Sequence, residues 1–312
     1  MSGQIVTVTL SPSIDVTLCV DGMDPDKTNR VLAERHDGGG KGINVSRVVN
    51  SLGVNTACLA VAGEDNRQEF AEFLKADKLR FDLLPVPGAV RENLTLRFGE
   101  QTIKLNRRGP ELSRMMTAAM MAMIQRWVRP GDVVVFAGSL PENFAVQDLV
   151  EMALATKQAG AYVALDCDAL RPEHLRVIRP WLIKPNIYEL QMLYPQTGLD
   201  EAGVLATAKR LREDGVENVM VSLGENGMLC LCGDTAWRAH SPQVEVKSTV
   251  GAGDSALAGF AVGFVTDRPP QECVRLAAAC GTASVMLEGT KLATRAQAQE
   301  IYERVRVEEV PV

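Results

Sequence analysis

The sequence has no excess of positive charge, no long apolar run and no cysteine spacing typical of a metal site, and each absence closes off a class of function. Its 33 basic residues are outnumbered by 39 acidic ones, giving a net charge of −6. A generic nucleic-acid surface needs clustered Lys and Arg, so no nucleic-acid partner is expected. Small phosphorylated ligands, which need only a few local cations, stay open. No apolar stretch approaches the ~20 residues of a membrane span, so no membrane partner is expected. Met1-Ser2-Gly3-Gln4 leads straight into a strand-like run without a signal peptide, and a cytoplasmic location is expected. The seven cysteines (Cys19, Cys58, Cys167, Cys230, Cys232, Cys273, Cys280) are odd in number and scattered through apolar segments. Cys230 and Cys232 form a C-x-C with no second pair at zinc-site spacing, so buried reduced thiols are expected. Repeats and low-complexity tracts are missing, and the one irregular stretch expected is a polar tail after Arg304. A chain of 312 residues buries well over half of its unfolded surface and needs neither disulfides nor metals to fold.

What is present is alternation. Ile5–Leu10, Thr56–Ala62, Asp132–Ala137, Tyr162–Leu165, Trp181–Lys184 and Asn218–Ser222 read as buried strands of a mostly parallel sheet. Between them, Gly42–Leu52, Gln68–Ala76, Ser113–Val128, Ala145–Gln158, Ile187–Tyr194 and Glu201–Asp214 read as helices, with the Met-rich Met115–Met123 as a core face. This order predicts a three-layer α/β fold. Two segments, Asp15–Glu34 and Ala89–Asn106, switch to period 2, and the second turns at Gly99-Glu100 as a hairpin. Together they are expected to form a small antiparallel β lid.

The strongest chemical signal is Thr249-Val250-Gly251-Ala252-Gly253-Asp254-Ser255, followed by the small apolar Ala256–Phe264. Gly251 and Gly253 let the backbone turn and present its N–H groups, and the residues after them start a helix whose positive end faces that turn. This is an anion hole suited to a phosphoryl group in transfer. Asp254, a negative charge beside it, makes chemical sense as a base. Gly251–Ala256 also fits the degenerate dinucleotide pattern G-x-G-x-x-A, although the preceding Val244–Val250 is polar where that motif follows an apolar strand. Lys184-Pro185-Asn186-x-x-Glu189 and Val221-Ser222-Leu223-Gly224-x-x-Gly227 each follow a buried strand. Asn186 and Glu189 can share one face and hold Mg²⁺ through water, or serve as helix caps.

With Gly38-Gly39-Gly40-Lys41-Gly42-Ile43-Asn44-Val45 added, these motifs resemble, in order, the signatures of the ribokinase/PfkB family of carbohydrate kinases over almost the whole chain. The resemblance implies one ribokinase-like domain, 1–312, with lid strands from about 12–36 and 88–108. It implies ATP and Mg²⁺, Asp254 as base with Gly251, Ala252 and Gly253 around the phosphoryl group, and Lys184, Asn186, Ser222, Gly224 and Gly227 on the nucleotide, with Asn186 and Glu189 at the metal. No Walker A loop is present, since Lys41 is followed by Gly42. On the sugar side it implies Asp15, Gly39, Gly40, Lys41, Asn44 and Ser139. Arg91 and Asn93 match an R-x-N element of the phosphosugar subgroup, and Lys27 and Lys104 fall in the other lid segments. Read singly, Asp15 is a strand-end turn residue and each cation a solvated charge; together they favour an anionic sugar. Within the subgroup the resemblance is nearest to the 1-phosphofructokinase branch, which implies fructose 1-phosphate as the phosphorylated ketohexose, with tagatose 6-phosphate and fructose 6-phosphate kinases as the alternatives. Ser11 before Pro12, Cys167-Asp168-Ala169 after Asp166, and Arg107-Arg108 before Gly109 depart from the subgroup pattern and bear on the sugar. A nicotinamide oxidoreductase and a non-catalytic sugar-phosphate sensor are the readings from other classes. An exposed lid edge that pairs with its copy implies a homodimer.

Overall fold

Ile5-Val6-Thr7-Val8-Thr9 is buried along its whole length, as a β-branched strand covered on both faces must be, and it lies inside a ten-stranded sheet. The computed structural model describes residues 3–99, 101–196, 198 and 200–311. The opening Met1-Ser2 and Glu100 of the expected hairpin turn lie outside the described residues. The chain begins β1 (Ile5–Thr9), β2 (Ser13–Val20), β3 (Val31–Gly39), α1 (Lys41–Ser51), β4 (Thr56–Gly63), α2 (Arg67–Ala76), β5 (Phe81–Val86), β6 (Arg91–Phe98) and β7 (Gln101–Asn106). It continues through α3 (Arg114–Trp127), β8 (Val133–Ala137), α4 (Val146–Gln158), β9 (Tyr162–Asp166), α5 (Pro172–Ile178), β10 (Leu182–Ile183), α6 (Ile187–Leu193), α7 (Glu201–Glu213) and β11 (Asn218–Ser222). After β12 (Met228–Cys232) and β13 (Thr235–His240) come α8 (Ala252–Val265), α9 (Pro270–Val285), α10 (Arg295–Tyr302) and β14 (Arg306–Val310).

The large sheet has the order β14-β13-β12-β11-β10-β9-β8-β1-β4-β5. Every pairing from β11 to β5 is parallel, and β12, β13 and β14 extend it antiparallel. One face packs against α1, α8, α9 and α10, the other against α3 to α7, giving the expected three layers. Because strands β1, β8, β9, β10 and β11 run the same way, Asp166, Lys184 and Ser222 emerge together at their carboxyl ends, where open α/β sheets bind ligands.

One expectation needs correction and another is refined. The stretch after Arg304 is no free tail: β14 pairs along β13 from Ala236↔Val310 to His240↔Arg306, with Val305 and Val307 buried. The lid has the order β3-β2-β6-β7, and although its outer pairs are antiparallel, the β2–β6 seam is parallel. The rungs Asp37–Asp15–Asn93–Asn106 and Arg35–Thr17–Thr95 with Lys104 put polar side chains on one face. Val16, Leu18, Leu94, Leu96, Ile103 and Leu105 alternate with them onto the other, the inner members packing near Phe70 and Leu74 of α2. Among the described residues no helix is long and apolar enough to cross a membrane, and all seven cysteines are free thiols.

Candidate active site

Helix α8 is apolar and buried nearly all round, so its mouth is held rigidly against the sheet. Gly251 caps it at φ 76°, in the left-handed region, and a Cβ there would run into Leu292. No side chain caps this end, which leaves first-turn N–H groups facing the cavity. Asp254, in that first turn, is only 6% exposed. Asn44 Nδ2, from α1, donates to Asp254 Oδ2 at 2.8 Å. Burial, with the neighbouring Asp166 charge, pushes the Asp254 carboxyl up to about 6, against the opposing pull of Asn44, Lys184 and Lys41. A carboxylate so poised is ionised at neutral pH and basic enough to take a proton in a transition state.

Asp166, at the end of β9, gathers two cations. Lys41 Nζ donates to Oδ1 at 3.2 Å, and Lys184 Nζ stands 3.4 Å from Oδ2 as an ion pair outside hydrogen-bonding geometry. Burial alone would lower Lys41, but Asp166, with Glu189 and Asp254, reverses this and raises it. Lys184 is buried, and a Cβ on Gly253 would lie 2.9 Å from its ammonium, so the lysine reaches the mouth of α8.

Asn186 and Glu189 form a reciprocal capping box on α6: Glu189 N donates to Asn186 Oδ1 at 2.8 Å and Asn186 N to Glu189 Oε2 at 2.9 Å. The helix-cap reading is therefore realised, and both side chains also line the cavity. Among the described residues no three His, Cys, Asp or Glu side chains converge as a metal cage. Such a donor set suits Mg²⁺ held largely by water and phosphate oxygens rather than a closed protein site.

These groups share one cavity of about 1410 Å³, lined by Lys41, Lys184, Asn186, Ser222, Gly224, Gly227, Gly253 and Asp254, with apolar walls from Val244, Val246 and α9. The dinucleotide reading of Gly251–Ala256 lacks its context, because β13 ends at His240 and no strand leads into Gly251.

At the lid base, Asn93 Nδ2 (3.0 Å) and Ser13 Oγ (2.9 Å) both donate to Asp15 Oδ1. A Cβ on Gly39 would strike the Asp15 carboxylate and lie 2.6 Å from Ser13 Oγ, so this close approach requires glycine. Arg91 Nη2 reaches Ser11 O at 3.3 Å and Ser139 Oγ at 3.4 Å, while Arg91 Nε and Asn93 Oδ1 are buried without a protein hydrogen-bond partner. Gly40 begins α1, and Lys41 packs beside Gly138, which brings this cluster next to Lys41–Asp166. Lys104 shares the polar lid face one rung further out. Lys27 lies in the β2–β3 connection, pairs with Asp24 at 2.8 Å and is 78% exposed in its side chain. Arg107 and Arg108 pair with Glu92 and Glu142 at the surface.

Sequence reasoning missed Asp166 as a site residue, although a carboxylate ending a buried parallel strand is a usable signal. It also missed Arg47, which bonds to Asn44. The arrangement can take a hydroxyl proton at Asp254 and steady an anion between the α8 mouth, Lys41 and Lys184. A model of the pfkB family of carbohydrate kinases matches residues 4–297. The chain is 32% identical over 306 residues to 1-phosphofructokinase of Bacillus subtilis, covering 97% of this chain and 99% of that protein. It is 26% identical over 310 residues to tagatose-6-phosphate kinase of Staphylococcus epidermidis, covering 98% and 100%. Phosphofructokinase-2 from Escherichia coli, solved in complex with potassium, superposes with a TM-score of 0.90 at 25% identity, covering 97% and 99%. The chain belongs to the pfkB family of carbohydrate kinases.

Proposed function

We propose that this kinase transfers the γ-phosphoryl group of ATP to a free hydroxyl of fructose 1-phosphate, giving fructose 1,6-bisphosphate, in the cytoplasm. The observation that carries the chemistry is Asp254, buried at the uncapped mouth of α8 and held by Asn44. Its carboxylate accepts the proton of the attacking hydroxyl while first-turn N–H groups of Gly251–Asp254, with Lys184, steady the phosphoryl oxygens. Asn186 and Glu189 would hold Mg²⁺, which would neutralise charge on the nucleotide phosphates. Asp15 and Asn93 orient sugar hydroxyls, Gly39 and Gly40 let the backbone approach, and Arg91, beside Ser139 and with Lys104 further out, meets the sugar phosphate. Lid closure excludes water and so limits ATP hydrolysis. The 1-phosphofructokinase relative supports the choice of sugar. Leu32, Ile103 and Leu105 are 68%, 39% and 50% exposed on the lid edges, which supports a homodimer formed through the lid.

The test is a coupled ADP-release assay on fructose 1-phosphate, fructose 6-phosphate, tagatose 6-phosphate and unphosphorylated hexoses. The highest kcat/KM is expected for fructose 1-phosphate; a higher value for another phosphosugar replaces the assignment, and preference for a free hexose removes the phosphate site. Asp254→Asn is expected to lose at least ~10²-fold in kcat while staying folded. Near-normal turnover by that variant overturns the base.

A further inference from the structure

We infer that Arg47 is a positioning residue for phosphoryl transfer, locking the Asn44 amide in the one orientation that keeps Asp254 a base. The inference rests on the role given to Asp254 above. Asn44 and Arg47 stand three apart on α1, on one face of the helix. Arg47 Nη1 donates to Asn44 Oδ1 at 3.2 Å, and the same guanidinium is fixed from behind by Asp77, with Nε 2.6 Å from Asp77 Oδ2. Asn44 Nδ2 then donates to Asp254 Oδ2 at 2.8 Å. The chain of contacts therefore runs from Asp77 at the end of α2 to the carboxylate at the mouth of α8.

A carboxamide is nearly symmetric in shape, and only its bonding partners decide which end faces which way. An ionised Asp254 accepts only, so it wants the NH₂ of Asn44. A protonated Asp254 carries an O–H and would be better served by Asn44 Oδ1. If the amide were free to turn over, it would follow the proton and stabilise both forms of the base. Arg47 forbids this, because a guanidinium has donors alone and would then face the NH₂. Asn44 is held as a donor in both states, which favours the carboxylate and works against the protonated form. The other groups facing Asp254 are Asp166 from the end of β9, Lys184 after β10 and Lys41 from α1. None of them can change its donor or acceptor character by turning over.

The experiment compares wild type with Arg47→Met, Asp77→Asn, Asn44→Ala and the Asn44→Ala/Arg47→Met double variant. Two readouts are used: the pH dependence of kcat/KM, and a ¹³C NMR titration of aspartate carboxylates in the apo protein, which needs no turnover. Arg47→Met is expected to move the Asp254 titration and the acidic limb upward by about 0.5–1 unit, with about threefold lower kcat/KM at pH 6 and little loss at pH 8. Asp77→Asn removes the ion pair between α1 and α2 but keeps an acceptor oxygen for Arg47 and leaves its bond to Asn44, so it is expected to lower Tm with a much smaller shift of the titration than Arg47→Met. In the Asn44→Ala background, Arg47→Met is expected to add no shift. A wild-type titration in Arg47→Met overturns the inference; so does an equal shift in Asp77→Asn, or one that persists without Asn44 and so reports only the lost charge. Should Arg47→Met fail to fold, Arg47→Lys keeps the charge but gives up the two-partner fork, and it is expected to shift in the same direction. Turnover by Asp254→Asn would remove the base role while leaving the NMR comparison to judge the amide lock.

Discussion

Asp254 shows at the scale of one residue how activity and stability oppose each other. Its carboxyl titrates near 6 in the folded protein against 3.8 ordinarily, chiefly through burial. Below pH 3.8 both states are protonated and nothing is lost. Between the two values the folded state holds the proton more tightly, so stability falls as pH rises, and above about 6 the full cost is present. At 1.36 kcal/mol per unit this is about 3 kcal/mol. Asp254→Asn, neutral and of equal size, is thus expected to raise Tm at pH 8 while losing at least ~10²-fold in kcat, with the gain shrinking toward pH 4. Calorimetry at the two pH values checks this; an unchanged or lower Tm at pH 8 contradicts the burial cost. Asp254, Gly251 and Gly253 were legible in the sequence because the glycines, the acid and the helix that follows are consecutive. Asp166 and Arg47 were not. Their partners lie 125 residues away in the pair Lys41–Asp166 and 30 residues away in Arg47–Asp77, and nothing local marks them.

At the scale of elements, β14 carries the lesson. Val305 and Val307 alternate with Arg306 and Glu308, but Glu309-Val310 breaks the period, and the short pattern diluted by charges reads as a polar tail. Arg306, Glu308 and Glu309 are exposed along an edge strand, where they discourage further pairing. Ending the chain after Arg304 removes two buried valines and the cover of β13. That is worth about 3 kcal/mol from side-chain burial, and a fall in Tm of about 5 °C or more, with self-association through the bared β13 edge, is expected by calorimetry and light scattering. An unaltered Tm and a monodisperse sample would show that β14 is dispensable. The buried parallel strands, by contrast, were plain in the sequence because continuous β-branched runs have few other uses. The parallel seam of the lid was not, since strand direction depends on where each strand leaves the body and not on its composition.

For the molecule as a whole, the proposed lid dimer would join catalysis to assembly. Ile103→Lys with Leu105→Lys places charge on the apolar lid edge without touching the polar face that carries Asp15 and Asn93. The double variant is expected to run as a monomer by light scattering, with a raised KM for the sugar phosphate. A wild-type protein that is monomeric at micromolar concentration would defeat the lid dimer directly.

The bond from Asn44 to Asp254 spans 210 residues of chain. During synthesis at the ribosome, Lys41, Asn44 and the strand ends carrying Asp166, Lys184 and Ser222 are therefore made before Asp254, while α9, which walls the cavity, follows it, and α8 must dock under α1 before they meet. On the role proposed for Asp254, a nascent polypeptide is expected to consume no ATP until its last quarter has emerged.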